Sequence, residues 1–98
     1  MTVQYIRYRI LHDAAGFEAA LGRAVRVLEQ APQCVDYELT RGTDDGTSYV
    51  LRITWTSEGH HLRDSGFLAA TREFAETVLE TPRHYEPTAV RGTGSHQG

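Results

Sequence analysis

The sequence predicts one α+β domain in which four antiparallel strands form a single sheet and two helices cover one of its faces. The chain has 98 residues, of which 40% are apolar and 23% are charged, as expected for a globular domain with one core. Four segments are rich in strand-forming residues and two repeat apolar residues at helical spacing. Their order is β-α-β-β-α-β, which is that of the ferredoxin-like split βαβ arrangement.

The first strand and the first helix occupy the N-terminal third. Residues 3–10 alternate as a strand, and Asp13 is suited to cap a helix over about 14–30 that Pro32 ends. The strand is predicted to turn Ile6, Tyr8 and Ile10 to the helices and Val3, Tyr5, Arg7 and Arg9 to the opposite face.

A hairpin follows, because the glycines and aspartates of 42–46 separate two alternating segments, 34–41 and 48–56. The residues predicted to face the helices are Val35, Tyr37 and Leu39 in the first segment and Tyr49, Leu51, Ile53 and Trp55 in the second.

The C-terminal part supplies a second helical region and a last strand. Ser57 is predicted to begin the helical region, Gly66 to interrupt it and Pro82 to end it, with Phe67 and Phe74 on its apolar stripe. Residues 83–88 are predicted to form the last strand, so the domain spans 1–88 and the glycine-rich tail 89–98 is expected to be loose.

Composition excludes several function classes. A net charge of −3, with acids scattered among the arginines, gives no basic stripe for nucleic acid. The sequence contains no run of about 20 apolar residues, so we expect no membrane association and a cytoplasmic location. The single cysteine cannot form an internal disulfide or a thiolate zinc cage.

The predicted fold leaves the sheet face opposite the helices bare. This face is either solvated, with ordinary ion pairs between strands, or covered by a second subunit, which we favour. Arg52 is expected near Glu38, and Arg7 or Arg9 near Glu86. The residues predicted for a homodimer interface are Tyr5, Arg7, Arg9, Glu38, Arg52, His84 and Glu86.

Four segments together resemble the antibiotic biosynthesis monooxygenase family over about residues 2–88: YIRYRI, CVDYELTR, YVLRITWTSEGHHL and HYEPT. The most specific features are Tyr37 and Glu38 on the second strand, Trp55 at the end of the third, and His61 six residues later. The resemblance implies a dimeric α+β barrel. Known members include cofactor-free oxygenases of phenols and quinols, haem-degrading enzymes, enzymes of signal-molecule metabolism and proteins with no assigned reaction.

Cofactor-free oxygenation, which the resemblance implies, needs a substrate that becomes an electron-rich anion. His61 is the candidate base, and the Trp55 N–H, a tyrosine hydroxyl or an arginine would hold the oxyanion. The expected ligand is a small aromatic molecule, and no cofactor is expected. No metal site is expected either, since His84 and Glu86 alone are too few ligands to hold a metal. The residues predicted to bind it are Tyr8, Tyr37, Tyr49, Phe67 and Phe74, unless these aromatics only fill the core.

Two alternatives stay open. One is a haem-binding relative, although similar haem-degrading proteins use an asparagine on the first strand and this sequence contains none. The other is a non-catalytic dimeric ligand-binding module. The family's later helix often carries another histidine near its phenylalanine, whereas this chain has DSGF at 64–67.

Overall fold

The structure, a computed structural model, describes residues 1–56, 67 and 83–94. Its sheet has the antiparallel order β2-β3-β1-β4, which confirms the predicted α+β ferredoxin-like fold and the placing of the first strand beside the last. The elements are β1 (Thr2–Arg9), α1 (Ala14–Ala24), α2 (Arg26–Glu29), β2 (Cys34–Arg41), β3 (Ser48–Trp55) and β4 (Arg83–Tyr85).

The two central strands, β1 and β3, carry the core on the face that packs against α1. Their predicted alternation is confirmed, since buried side chains alternate along both strands as far as Ile53, and only Thr54 on the outward phase is buried as well. Gln4 shares this inward phase and is also buried. The buried apolar residues of these strands and of α1 are Ile6, Tyr8, Phe17, Leu21, Ala24, Tyr49, Leu51, Ile53 and Trp55.

Asp13 caps α1 as predicted, in a left-handed backbone conformation with φ of 56°. Its carboxylate accepts a hydrogen bond from the Gly16 N–H at 3.1 Å, which satisfies one of the open amides of the first turn. A Cβ on Gly16 would lie 2.1 Å from that carboxylate, so the cap depends on glycine there.

The first helical segment is split rather than continuous over 14–30. The Leu28 N–H bonds to the Val25 carbonyl, three residues earlier, so the backbone tightens at the start of the short α2. Leu28 is fully buried by this turn. The split therefore preserves the predicted apolar stripe while changing the path of the backbone.

The predicted inward position of Val35 is wrong. Cys34 pairs with Trp55 and Asp36 pairs with Thr54, so β2 has one more residue than β3 at this point, a β-bulge. The extra residue shifts the alternation, and Val35 is 52% exposed while Cys34 packs against the core.

Strand β4 is shorter than predicted, and two interface residues were misplaced. Pro87 has no N–H and restricts the residue before it, which is consistent with pairing that ends at Tyr85. His84 pairs with the inward Gln4, so its assignment to the bare face is wrong. Glu86 lies beyond the strand end, next to the N-terminal end of β1, so its predicted approach to Arg7 or Arg9 is also wrong.

The second helical region falls mostly outside the described residues. Phe67 is helical there and only 1% exposed. His61 and Phe74 lie outside the described residues. Within residues 1–56 and 83–94, no helix has the length and apolar character needed to cross a bilayer.

Candidate functional site

Three aromatic rings meet on the inner face of the sheet near the hairpin. Tyr8 and Tyr49 are directly opposite each other on β1 and β3, and Phe17 of α1 lies over both. The ring centroids of Phe17 are 5.2 Å from Tyr8 and 4.9 Å from Tyr49, with tilted planes. Such tilted contacts add to the stabilisation from buried area, so this aromatic cluster contributes to the packing of the inner face.

Trp55 lies at the other end of β3, where it pairs with Thr2 of β1. It is six residues along β3 from Tyr49, which corresponds to about 20 Å of strand. Its indole N–H donates to Gln4 Oε1 at 3.0 Å, and both residues are buried. The structure therefore places Tyr8, a predicted substrate-binding residue, and Trp55, a predicted catalytic residue, at opposite ends of the sheet rather than around one point.

Two of the predicted tyrosines use their hydroxyls in hydrogen bonds to carboxylates. Tyr49 donates to Glu18 Oε2 and Tyr37 donates to Glu29 Oε1, each at 2.6 Å. Burial, followed by the Glu18 contact, raises the pKa of Tyr49, and the Glu29 hydrogen bond is the main cause that raises the pKa of Tyr37. Both phenols are consequently held in their neutral form.

The partners Gln4, Glu18 and Glu29 were not identified from the sequence. Gln4 has the parity of the buried side chains of β1, and a polar residue in such a position is a detectable signal. Glu18 also accepts a hydrogen bond from Arg41 at 3.3 Å, 23 residues away. That contact depends on how α1 packs against the hairpin, which no local pattern specifies.

A small hollow opens between α1 and β2, next to these carboxylates. Its volume is about 160 Å³, and its lining is apolar apart from Glu18, Tyr37 and Glu38. Ligand pockets typically measure about 300–1,000 Å³, so this hollow by itself is small for an aromatic substrate. The remaining lining residues are Leu21, Gly22, Val25 and Leu39.

Tyr8 differs from the other two inner tyrosines. The residue is 2% exposed, and its hydroxyl has no hydrogen-bond partner in the described part of the chain. Since no fully buried polar side-chain atom of the described residues lacks a partner, this hydroxyl is not sealed off completely. Burial raises the pKa of Tyr8 to about 12. Tyr8 is thus a neutral phenol within the apolar core cluster, and no described residue accepts a hydrogen bond from its hydroxyl.

Burial of the Tyr8 phenol makes the free energy of unfolding depend on pH in the alkaline range. Because the pKa of Tyr8 is about 12 in the folded protein against 10.0 ordinarily, folding favours the neutral form. Its contribution is complete below about pH 10 and is lost as pH rises towards 12, while the unfolded chain ionises first. We expect Tyr8→Phe to reduce this loss, measured as the urea midpoint across that range. Parallel declines in the variant and the parent would contradict the assignment.

On the outer face, Arg52 forms ion pairs with the two acidic residues of β2. Its guanidinium lies 2.9 Å from Asp36 and 3.8 Å from Glu38, which confirms the predicted approach of Arg52 and Glu38. The hydrogen bond from Arg52 holds the pKa of Asp36 below its usual value. Tyr5, Arg7 and Arg9 are exposed on this face.

Comparisons with known proteins agree with this architecture. SnoaB from Streptomyces nogalater, a cofactor-independent oxygenase, is 22% identical, with 92% of this chain and 98% of that chain covered and a TM-score of 0.71. Rv0793 from Mycobacterium tuberculosis is 15% identical, with coverage of 93% and 98% and a TM-score of 0.69. A conserved protein from Methanosarcina mazei Go1 is 12% identical, with coverage of 86% and 87% and a TM-score of 0.69.

At these identities the structural likeness shows the fold alone. No curated protein matched the sequence. The family model for antibiotic biosynthesis monooxygenase, however, matches residues 1–73, which include β1, α1, α2, β2, β3 and Phe67. Since the match covers most of the chain, the protein belongs to the antibiotic biosynthesis monooxygenase family.

Proposed function

We propose that the protein is a cofactor-independent monooxygenase that oxidises a small quinol- or phenol-like substrate with O₂. The observation that carries the proposal is the available hydroxyl of Tyr8 in an aromatic, apolar wall. Membership of a monooxygenase family supports the reaction class. SnoaB, a cofactor-independent oxygenase, has the same fold, which makes this chemistry compatible with the fold.

The reaction needs no external reductant if the substrate supplies all four electrons. A phenol with a free para position and one O₂ give a para-quinone and one water, which balances atoms and electrons. Triplet O₂ reacts slowly with a neutral closed-shell phenol, whereas a phenolate transfers an electron readily. The protein therefore has two tasks, removal of the phenol proton and stabilisation of the phenolate.

Tyr8 is the donor that we assign to the phenolate. Among the indole and tyrosine donors considered from the sequence, Trp55 donates to Gln4, Tyr49 to Glu18 and Tyr37 to Glu29. A hydrogen bond from a neutral donor to an anion is strongest in a site of low polarity, which the buried rings around Tyr8 supply.

The other site assignments, except that of Trp55, remain part of this proposal. His61, outside the described residues, is the proposed base, because an imidazole titrates near neutral pH. Trp55 donates its N–H to Gln4 and lies six residues along β3 from Tyr49, so the proposed site beside Tyr8 does not include it. The proposed aromatic walls of the substrate site are Tyr8, Tyr37, Tyr49, Phe67 and Phe74.

Oxygen consumption tests the proposal directly. Purified protein is mixed with a panel of quinols, polyphenols and simple phenols in an oxygen electrode, with boiled protein as the control. We expect protein-dependent uptake with at least one of them, and water and a quinone as products. If no compound gives uptake while some raise the melting temperature, the protein is a ligand-binding module rather than an oxygenase.

We further propose that the protein forms a homodimer through the outer face of the sheet, with Tyr5, Arg7, Arg9, Glu38 and Arg52 in the interface. Exposed aromatic and arginine side chains on one sheet face support it. Light scattering at micromolar concentration should give twice the 11.0 kDa mass of the chain. A mass of one chain would rule the interface out.

A further inference from the structure

A glutamine is buried on the inner face of the sheet, the face that packs against α1. Gln4 is 3% exposed and shares the inward phase of β1 with Ile6 and Tyr8. Ile53 lies directly opposite on β3 and is fully buried. A glutamine buried to this extent normally has its amide hydrogen-bonded, so both ends of the Gln4 amide are expected to have partners.

Trp55 fixes the orientation of the Gln4 amide. An indole N–H can only donate, so the Gln4 atom that lies 3.0 Å from it is the carbonyl oxygen Oε1. The amide nitrogen Nε2 then carries two N–H donors that cannot pair with the indole. With the amide turned over, two donors would face each other, so this hydrogen bond selects one of the two orientations.

The two donors of Nε2 are open. Among the described residues, the Gln4 side chain makes no hydrogen bond other than the one from Trp55. No fully buried side-chain nitrogen or oxygen of the described residues lacks a partner, so Nε2 is not sealed inside the protein. His84, the neighbour of Gln4 in β4, has an interaction of its own. Gln4 thus presents two N–H donors at a buried position that still contacts open space.

The surroundings of these donors favour a neutral carbonyl as their partner. The residues of β1 and β3 that share the inward phase with Gln4 carry no charge. A carboxylate there would be a buried charge without a counter-charge, which is costly. A hydroxyl could accept from Nε2, but its own O–H would lack an acceptor because Trp55 occupies Oε1. A ketone oxygen only accepts, so it leaves no group unpaired.

We propose that Gln4 binds the carbonyl oxygen of a small aryl ketone on the inner face, donating from Nε2 while Trp55 holds Oε1. The ring of the ligand lies against the apolar side chains of this face. Gln4 is four residues along β1 from Tyr8, or about 14 Å of strand, so this contact is separate from the proposed phenolate contact. Gln4 therefore selects ligands by their acceptor, and this selection does not require turnover.

Three probes with similar skeletons separate the carbonyl from the ring: acetophenone, 1-phenylethanol and ethylbenzene. Each is titrated into the ¹⁵N-labelled full chain. The chain has one tryptophan, four glutamines and no asparagine, so the indole signal and the side-chain amide signals are few and assignable. We expect acetophenone to bind about fivefold more tightly than ethylbenzene, as for one neutral hydrogen bond, and to shift the Gln4 side-chain amide most.

Variants test how Trp55 controls the amide. Trp55→Phe removes the donor to Oε1, so the amide can turn over and pair with a hydroxyl as well. We expect the preference for acetophenone over 1-phenylethanol to fall below about twofold in this variant. A structural role of Trp55 alone would not change this preference.

The double variant Gln4→Leu/Trp55→Phe is compared with Trp55→Phe, because both lack the indole and differ only at residue 4. The preference for acetophenone over ethylbenzene should be lost in the double variant. Gln30→Leu is the matched control, since Gln30 is exposed, and it should bind like the parent. Melting temperatures establish that each variant is folded.

Four results would overturn the inference. They are absence of acetophenone binding, equal affinity for ethylbenzene, shifts centred away from residues 4, 53 and 55, and a ketone preference that survives in the double variant. An unchanged discrimination against 1-phenylethanol in Trp55→Phe would overturn the role of the indole. Oxygen uptake is measured separately, so failure of the ketone contact is distinguishable from failure of the proposed oxygenase.

Discussion

Replacing Tyr8 with phenylalanine is expected to lower kcat for the best substrate of the panel by about a hundredfold, with little change in KM. Loss of one preorganised donor to a developing oxyanion typically has an effect of about 10²–10³. Tyr8 is suited to this test because its hydroxyl has no hydrogen-bond partner among the described residues, so its removal leaves no protein group unsatisfied. The phenylalanine ring preserves the contact with Phe17.

The control for this variant is the removal of a hydroxyl elsewhere. Thr40→Val deletes an exposed hydroxyl of β2 that donates to the Val50 carbonyl, and it should leave turnover close to the parent value. Urea unfolding of Tyr8→Phe at neutral pH should show a stability change below about 1 kcal/mol, since no partner is orphaned. A kcat within twofold of the parent would remove Tyr8 from the reaction, whatever the substrate.

The fold could be predicted because both periodicities in the chain are clear. Alternation in β1 and β3 identifies the buried face, and the spacing from Phe17 to Leu28 identifies the helical stripe. Errors arose where one residue changes the phase. The bulge after Cys34 reverses Val35, and the register of β4 against β1 determines the face of His84. Both depend on pairing between strands, which a single segment does not encode.

The candidate site could be predicted in composition and not in arrangement. The inward tyrosines Tyr8 and Tyr49 and the inward Trp55 are buried as expected, yet a distance along the strand separates them into two groups. Which hydroxyl stays available also follows from long-range packing, because Glu18 and Glu29 reach Tyr49 and Tyr37 from α1 and α2. Identity of the aromatic residues alone could not distinguish Tyr8 from the others.

Replacing Gln4 with leucine is expected to lower the free energy of unfolding by about 2 kcal/mol, because the indole N–H of the fully buried Trp55 then has no acceptor. Trp55→Phe should also destabilise, by loss of buried volume and by loss of the donor to Gln4. Urea unfolding of both single variants and of the double variant measures the coupling between the two residues.

The double variant distinguishes a buried hydrogen bond from simple packing. With both polar groups removed, no unsatisfied donor or acceptor of this pair remains, so its cost should be at least about 1 kcal/mol smaller than the sum of the single costs. Tyr37 and Glu29 provide the comparison, because the hydrogen bond between them lies at an exposed position and water can replace either partner. Tyr37→Phe should therefore change the free energy of unfolding by less than about 1 kcal/mol. Strict additivity of Gln4→Leu and Trp55→Phe would mean that the hydrogen bond contributes nothing specific, and that the burial of Gln4 reflects only the shape of its side chain.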